Sequence, residues 1–159
     1  MNINTLIHKF LVIFVLVSSC LGTSYGQEKR LFRDLIPGQY TATAIVSEAK
    51  KWEGKHYRYG QSRQCANWVG RIINDSGGNT PPHYAMARNW LSWGRQVSLI
   101  GIRPGDVVIT WRGSRSGTSG HILIYVGNGQ CIHRPTQSRA VCKTPLAYYE
   151  GKILGVRRK

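Results

Sequence analysis

Apolar residues follow a helical period in the first half of the chain and fall into alternating or solid runs in the second. From Thr41 onward Ile45, Ala49 and Trp52 share one face, while Glu48, Lys50 and Lys51 take the other, and Gly54 offers a C-terminal cap. That pattern predicts a helix. A loop, HYRYGQSRQ, follows it. A second helix is predicted from about Cys65, with Ala66, Val69, Ile72 and Ile73 inward and the run Asn74-Asp75-Ser76-Gly77-Gly78 closing it. A third helical piece, Tyr84 to Trp93, carries Met86, Ala87, Trp90 and Leu91 and stops at Gly94. Strands are predicted at 107–111 after the turn Arg103-Pro104-Gly105-Asp106, at 121–126, 130–134, 140–143 and 153–157. Gly127-Asn128-Gly129 makes a tight hairpin turn between two of them. Helices first and an antiparallel meander afterwards give an α+β fold, with helices packed on a small antiparallel sheet.

The N-terminal run belongs to a different category. Lys9 precedes FLVIFVLV (10–17), and the small and polar residues SSCLGTSYGQ follow. This order reads as a secretory signal peptide over 1–26, with cleavage before Gln27 after Ser24-Tyr25-Gly26. The run is short for a bilayer span, and a buried strand is the competing reading. Val17-Ser18-Ser19-Cys20 also resembles a bacterial lipobox, which would make Cys20 a lipidated N-terminus. Residues 27–40 read as a linker broken at Pro37-Gly38, and 41–159 as one catalytic domain. The expected location is periplasmic or extracellular, without a transmembrane segment once the signal is removed, and a monomer is expected.

A hydrophobic fraction of 42% with 18% charged residues excludes wholesale disorder. The 22 Lys and Arg against 7 Asp and Glu give a formal charge of +15, of which only Lys9 lies in the signal segment. Such a surface is drawn to polyanions, anionic wall polymers among them. The charges are scattered and carry no interleaved basic and aromatic motif, so no specific nucleic-acid partner is expected.

Three cysteines remain after residue 26: Cys65, Cys131 and Cys142. An odd number in an exported chain leaves one thiol unpaired. Cys131 and Cys142 flank a polar turn and either pair as a disulfide across it or stay reduced; spacing does not choose between the two. Cys65 is the free one in either case. It stands where the second helix starts, so helix-head amides and the positive end of the dipole would favour a thiolate and hold an oxyanion at the Cys65 backbone. His121 opens the most apolar strand after a Gly/Ser-rich loop, and His133 lies on the next strand across the hairpin. A thiol, an imidazole base and a group orienting that base are the requirements of nucleophilic hydrolysis. His56 and His83 fall in loops and read as solvated. No third ligand of suitable spacing accompanies the paired histidines, so no metal and no cofactor are expected. Trp52, Trp68, Trp90 and Trp93 read as core, Trp111 as a groove residue and Asp106 as a turn former.

The segments QCANWVGRIINDSGG, ARNWLSWG, RPGDVVI and GHILIYVGNGQCIH resemble, in order, those of the NlpC/P60 superfamily of bacterial cysteine peptidoglycan hydrolases, over about 41–159. The resemblance implies a papain-like fold, with Cys65 as nucleophile, His121 as base and His133 as the polar third residue. It also implies that a tyrosine upstream of the cysteine, Tyr57 or Tyr59, contacts substrate. The implied activity is cleavage of peptide or amide bonds of the peptidoglycan stem through an acyl-enzyme. Gln64 and Ala66 depart from the acidic residue and serine that flank the cysteine in the common pattern. Those departures keep two other classes in view: a non-catalytic wall-binding protein, and an acyltransferase or thioesterase.

Overall fold

The computed structural model describes residues 40–58, 60, 62–135 and 139–159. The expected signal segment, Cys20, nearly all of the linker and Tyr59 lie outside those residues. The first helix, α1 (Ala42–Lys51), is capped by Thr41, whose hydroxyl accepts from the Ala44 amide at 3.0 Å. It turns Ile45 and Ala49 inward, while Glu48 and Lys51 pair on its outer side. The second helix, α2 (Gln64–Asp75), buries most of its length, with Ala66, Trp68, Val69, Ile72 and Ile73 fully enclosed. Arg71, Asn74 and Asp75 form its exposed polar edge, while the apolar positions pack on α1 and the sheet.

Six strands form one sheet: β1 (Arg95–Val97), β2 (Val107–Trp111), β3 (Gly120–Gly127), β4 (Gln130–His133), β5 (Cys142–Pro145) and β6 (Ile153–Arg158). Their order is β1-β6-β2-β3-β4-β5, and every neighbouring pair is antiparallel. Val107, Ile109, Ile122, Ile124 and Ile132 join the helices in one core cluster. Val108, Leu123, Tyr125, Cys131 and Val156 form a second cluster, with Ile102, Leu146, Tyr149 and Ile153 packed against it. Alternate residues of β2 and β3 thus enter different clusters, and both faces are buried. This explains why these strands read as unbroken apolar runs.

Several local expectations are corrected. The third helical piece is a 3-10 helix confined to Ala87–Ser92. The Trp90 and Trp93 indoles on either side of its end donate outward to Tyr84 O and Asn79 O, each at 2.7 Å. The fifth strand runs Cys142–Pro145 rather than 140–143, and a second 3-10 helix, Leu146–Lys152, follows it. Strand β1 was not expected at all: Arg-Gln-Val has no pattern of its own and becomes a strand by pairing with β6. The disulfide reading also falls. Cys131 and Cys142 are both free thiols, and the register sets Cys131 opposite Thr144 and Cys142 opposite His133, two residues out of step.

Asp106, read as a turn former, does that and more. Its carboxylate accepts from the Arg103 amide at 2.8 Å and from Arg158 Nε and Nη2 at 2.6 Å each. It thereby ties the turn before β2 to the end of β6. Among the described residues no helix is long and apolar enough to cross a membrane.

Candidate active site

Cys65 occupies the first turn of α2, which enters from Arg63 in the left-handed conformation (φ 58°). The reversal at Arg63 turns the chain sharply into the helix, and Gln64 holds it from behind by donating to Gly60 O at 2.9 Å. The Cys65 thiol is nearly buried, and the backbone amides of Ala66, Cys65 and Ile122 face its sulfur. Ile122 is the residue after His121, so the helix head abuts the start of β3.

His121 and His133 come together at 2.7 Å, Nε2 to Nδ1, with ring centroids 4.9 Å apart. The hairpin register pairs Ile124 with Ile132. One step further, His133 faces Leu123, so the two histidines meet on the diagonal that aromatic side chains span. His133 Nε2 lies 3.0 Å from Thr144 Oγ1 and 3.6 Å from Cys142 Sγ. Tyr149 packs over both imidazoles, with centroids at 5.9 and 5.7 Å. These contacts are compatible with either direction of donation; in the one where His133 Nε2–H donates to Thr144, Nδ1 accepts from His121 Nε2–H. The remaining nitrogen, His121 Nδ1, is then a bare lone pair, and it is buried with no hydrogen-bond partner.

Burial governs the charge states. It pushes the Cys65 thiol up, while Arg112 and the three amides pull it the other way. It holds His121 well below the ordinary histidine value, reinforced by Arg112 and His133. It brings His133 down to about 4, again with help from Arg112. The expected thiolate-favouring helix head is therefore opposed by desolvation, and the resting site is a neutral thiol beside neutral imidazoles.

A cavity of about 400 Å³ opens at Cys65, bordered by Arg63, Gln64, Ala87, Arg112 and Gly120. Gly120 has no room for a side chain: a Cβ there would come within 2.9 Å of Thr110 O. Arg88 fixes the loop above it by donating to the carbonyls of Ser114, Arg115 and Ser119.

Tyr57 and Trp111, two expected contact residues, are not among those lining this cavity. Tyr57 is a core residue, 6% exposed, its hydroxyl donating to Asn67 O at 3.3 Å and its ring set edge-on to Trp52. At that depth the ring packs against the helix that carries Cys65. Trp111 ends β2 with Lys152 Nζ 5.8 Å from its ring and does not border the cavity. His56 and His83 are exposed, as expected. Sequence reasoning missed Thr144, Cys142 and Tyr149, which only pairing and packing bring to the histidines. It also missed Arg63 and Arg112, which it counted as scattered charge. The hairpin register, once known, would have pointed to Cys142 and Thr144.

A model of the NlpC/P60 family matches residues 54–158. The murein DD-endopeptidase MepS/murein LD-carboxypeptidase of Escherichia coli K12 is 29% identical over 114 residues, 69% of this chain and 58% of that protein. The gamma-DL-glutamyl hydrolase of Bacillus subtilis is 28% identical over 123 residues, 72% of this chain and 29% of its own length. This chain thus spans little more than half of the first of these relatives and less than a third of the second. Among solved structures, an NlpC/P60 family protein from Bacillus cereus superposes with a TM-score of 0.64 at 24% identity, over 77% of this chain and 41% of that one. The NlpC/p60 domain of the peptidoglycan hydrolase SagA gives 0.58 at 24% identity, over 75% of this chain and 99% of that one. Both likenesses bear on the fold, and they agree with its helices and antiparallel sheet. The matched segment contains Cys65, His121 and His133, and the chain belongs to the NlpC/P60 family.

Proposed function

We propose that the protein is an exported cysteine hydrolase that cuts peptide or amide bonds of the peptidoglycan stem through an acyl-enzyme. The observation that carries this reading is the hydrogen-bonded series His121–His133–Thr144 ending in a buried Nδ1 without a hydrogen-bond partner, with Cys65 at the adjoining helix head. The names of the Escherichia coli relative and of SagA point to the same substrate.

In the proposed reaction the Cys65 proton passes to His121 Nδ1 as the sulfur attacks the scissile carbonyl and forms the C–S bond. Helix-head amides hold the oxyanion. The imidazolium returns its proton to the leaving amine, and water, deprotonated by the same nitrogen, then releases the acid. His133 keeps the His121 ring in register by accepting from Nε2–H, and Thr144 keeps His133 in the tautomer that does so. The thiol–imidazole hydrogen bond is not closed in this structure, and such bonds commonly tighten when substrate binds. Export to a wall-facing compartment through residues 1–26, with retention through Cys20 as the lipoprotein variant, completes the proposal.

The test is incubation of the purified protein with purified peptidoglycan and mass spectrometry of what is released. Stem-peptide fragments are expected, and their masses identify the bond; a wall left intact would end the hydrolase reading. The pH profile gives an independent check. A base whose protonated form is disfavoured by burial stays neutral to lower pH than an ordinary histidine near 6.5. The acid limb of kcat/KM is therefore expected well below pH 6.5, and a limb at or above that value would contradict the buried-imidazole assignment.

A further inference from the structure

Among the described residues, the lining of the cavity at Cys65 carries two cations and no acid. Arg63 and Arg112 stand on its border, and none of the residues lining it is Asp or Glu. Among the described residues four acids are engaged in ion pairs, Glu48 with Lys51, Asp75 with Arg71, Glu53 with Lys143 and Asp106 with Arg158, and the fifth, Glu150, does not line the cavity. Nor are the two arginines engaged like their neighbour Arg88, whose guanidinium is spent on three loop carbonyls. Arg112 makes one such bond, Nη2 to Pro135 O at 3.1 Å, which leaves most of its five N–H donors for another acceptor. It lines the same cavity as Cys65, and its charge acts on Cys65, His121, His133 and Tyr149 alike.

A cationic group beside a nucleophile and a neutral base costs catalysis something, because it opposes the imidazolium that the reaction must form. A substrate anion would remove that cost by neutralising the arginine and would accept its free donors. Guanidinium matches carboxylate in a planar, two-point geometry that a neutral amide does not reproduce.

We infer that Arg112, with Arg63 on the same cavity, reads a free carboxylate within a few bonds of the scissile carbonyl, so that the enzyme discriminates stem peptides bearing that carboxylate from those in which it is amidated. This rests on the hydrolase reading above and adds to it the charge state of the substrate. Arg63 and Arg112 are specificity residues on this account, since they hold substrate and move no proton.

The experiment uses soluble cross-linked muropeptides before and after conversion of their carboxylates to amides with carbodiimide and ammonia. Loss of a charge-assisted contact is expected to lower the wild-type kcat/KM by roughly ten- to a hundredfold on the amidated substrate, chiefly through KM. Arg112→Gln is expected to lose a similar factor on the native substrate and to cleave the two substrates nearly equally; both side chains are exposed, so Arg112→Gln and Arg63→Gln/Arg112→Gln should fold. Equal cleavage of both substrates by the wild type would overturn the inference while leaving the hydrolase intact. So would an Arg112→Gln variant slowed by the same factor on each, which would mark the arginine as acting on the thiol alone. Failure of the wild type to cleave either substrate would remove the hydrolase reading and this inference with it.

Discussion

Cys65→Ala is expected to stop the release of stem-peptide fragments from purified wall, with a fall of about 10⁴-fold or more, because Cys65 is the cysteine that lines the cavity and would form the acyl intermediate. The fold should survive. The thiol is small, alanine is a good helix residue at the first turn of α2, and the rest of the helix is anchored by Trp68, Val69, Ile72 and Ile73. Circular dichroism and melting close to wild type, together with silence in the wall assay, are the expected results. Undiminished release would show that the sulfur is not the nucleophile. His121→Ala should cost a comparable factor, and the Cys65→Ala/His121→Ala double variant should be hardly worse than either single one, since the two act as a unit. His133→Ala should cost less. It removes the partner of Nε2 but leaves Nδ1 and its lone pair in the protein.

Asp106→Ala is expected to cost the most stability of any single exposed-to-buried pair in the sheet. The carboxylate is 1% exposed and accepts from Arg158 twice and from the Arg103 amide once. Removing one member of such a pair leaves the other charge desolvated without compensation, at about 3–5 kcal/mol. For a domain of this size that corresponds to a melting temperature roughly 10–20 °C lower. The pair is at the opposite end of β2 from Thr110, which faces His121, so activity per folded molecule should be little changed. Adding Arg158→Met to Asp106→Ala removes the stranded guanidinium and should recover part of the loss. A melting temperature within a degree or two of wild type for Asp106→Ala would show the pair to be a surface contact.

These expectations draw on different levels of the molecule. The amphipathic period around Ile45 and Ala49, the closed run after Ile73 and the Gly127-Asn128-Gly129 turn are properties of a few consecutive residues, so α1, α2, β2, β3 and their hairpin were legible before any fold was known. Cys65, His121 and His133 were candidates because a helix head, a strand start and a hairpin partner can each be found from local pattern. Strand β1 was not, since Arg95-Gln96-Val97 has no pattern and takes its conformation from β6. The burial of Tyr57 was not legible for a related reason: position before the cysteine does not tell whether a ring turns toward solvent or into the core, and Trp52 and the Asn67 carbonyl settle that.

The amino-acid sequence by itself determined the class of fold, the order of its elements and three groups able to carry nucleophilic chemistry, because backbone preference and side-chain period act over short stretches of chain. Only the tertiary structure decided which groups surround them. Strand register placed Thr144 and Cys142 at His133 and kept Cys131 from pairing with Cys142. Packing of the second 3-10 helix laid Tyr149 over the imidazoles, and burial there set thiol and imidazoles neutral. Desolvation and through-space charge depend on what is near in space, and neighbours in space are chosen by the fold as a whole.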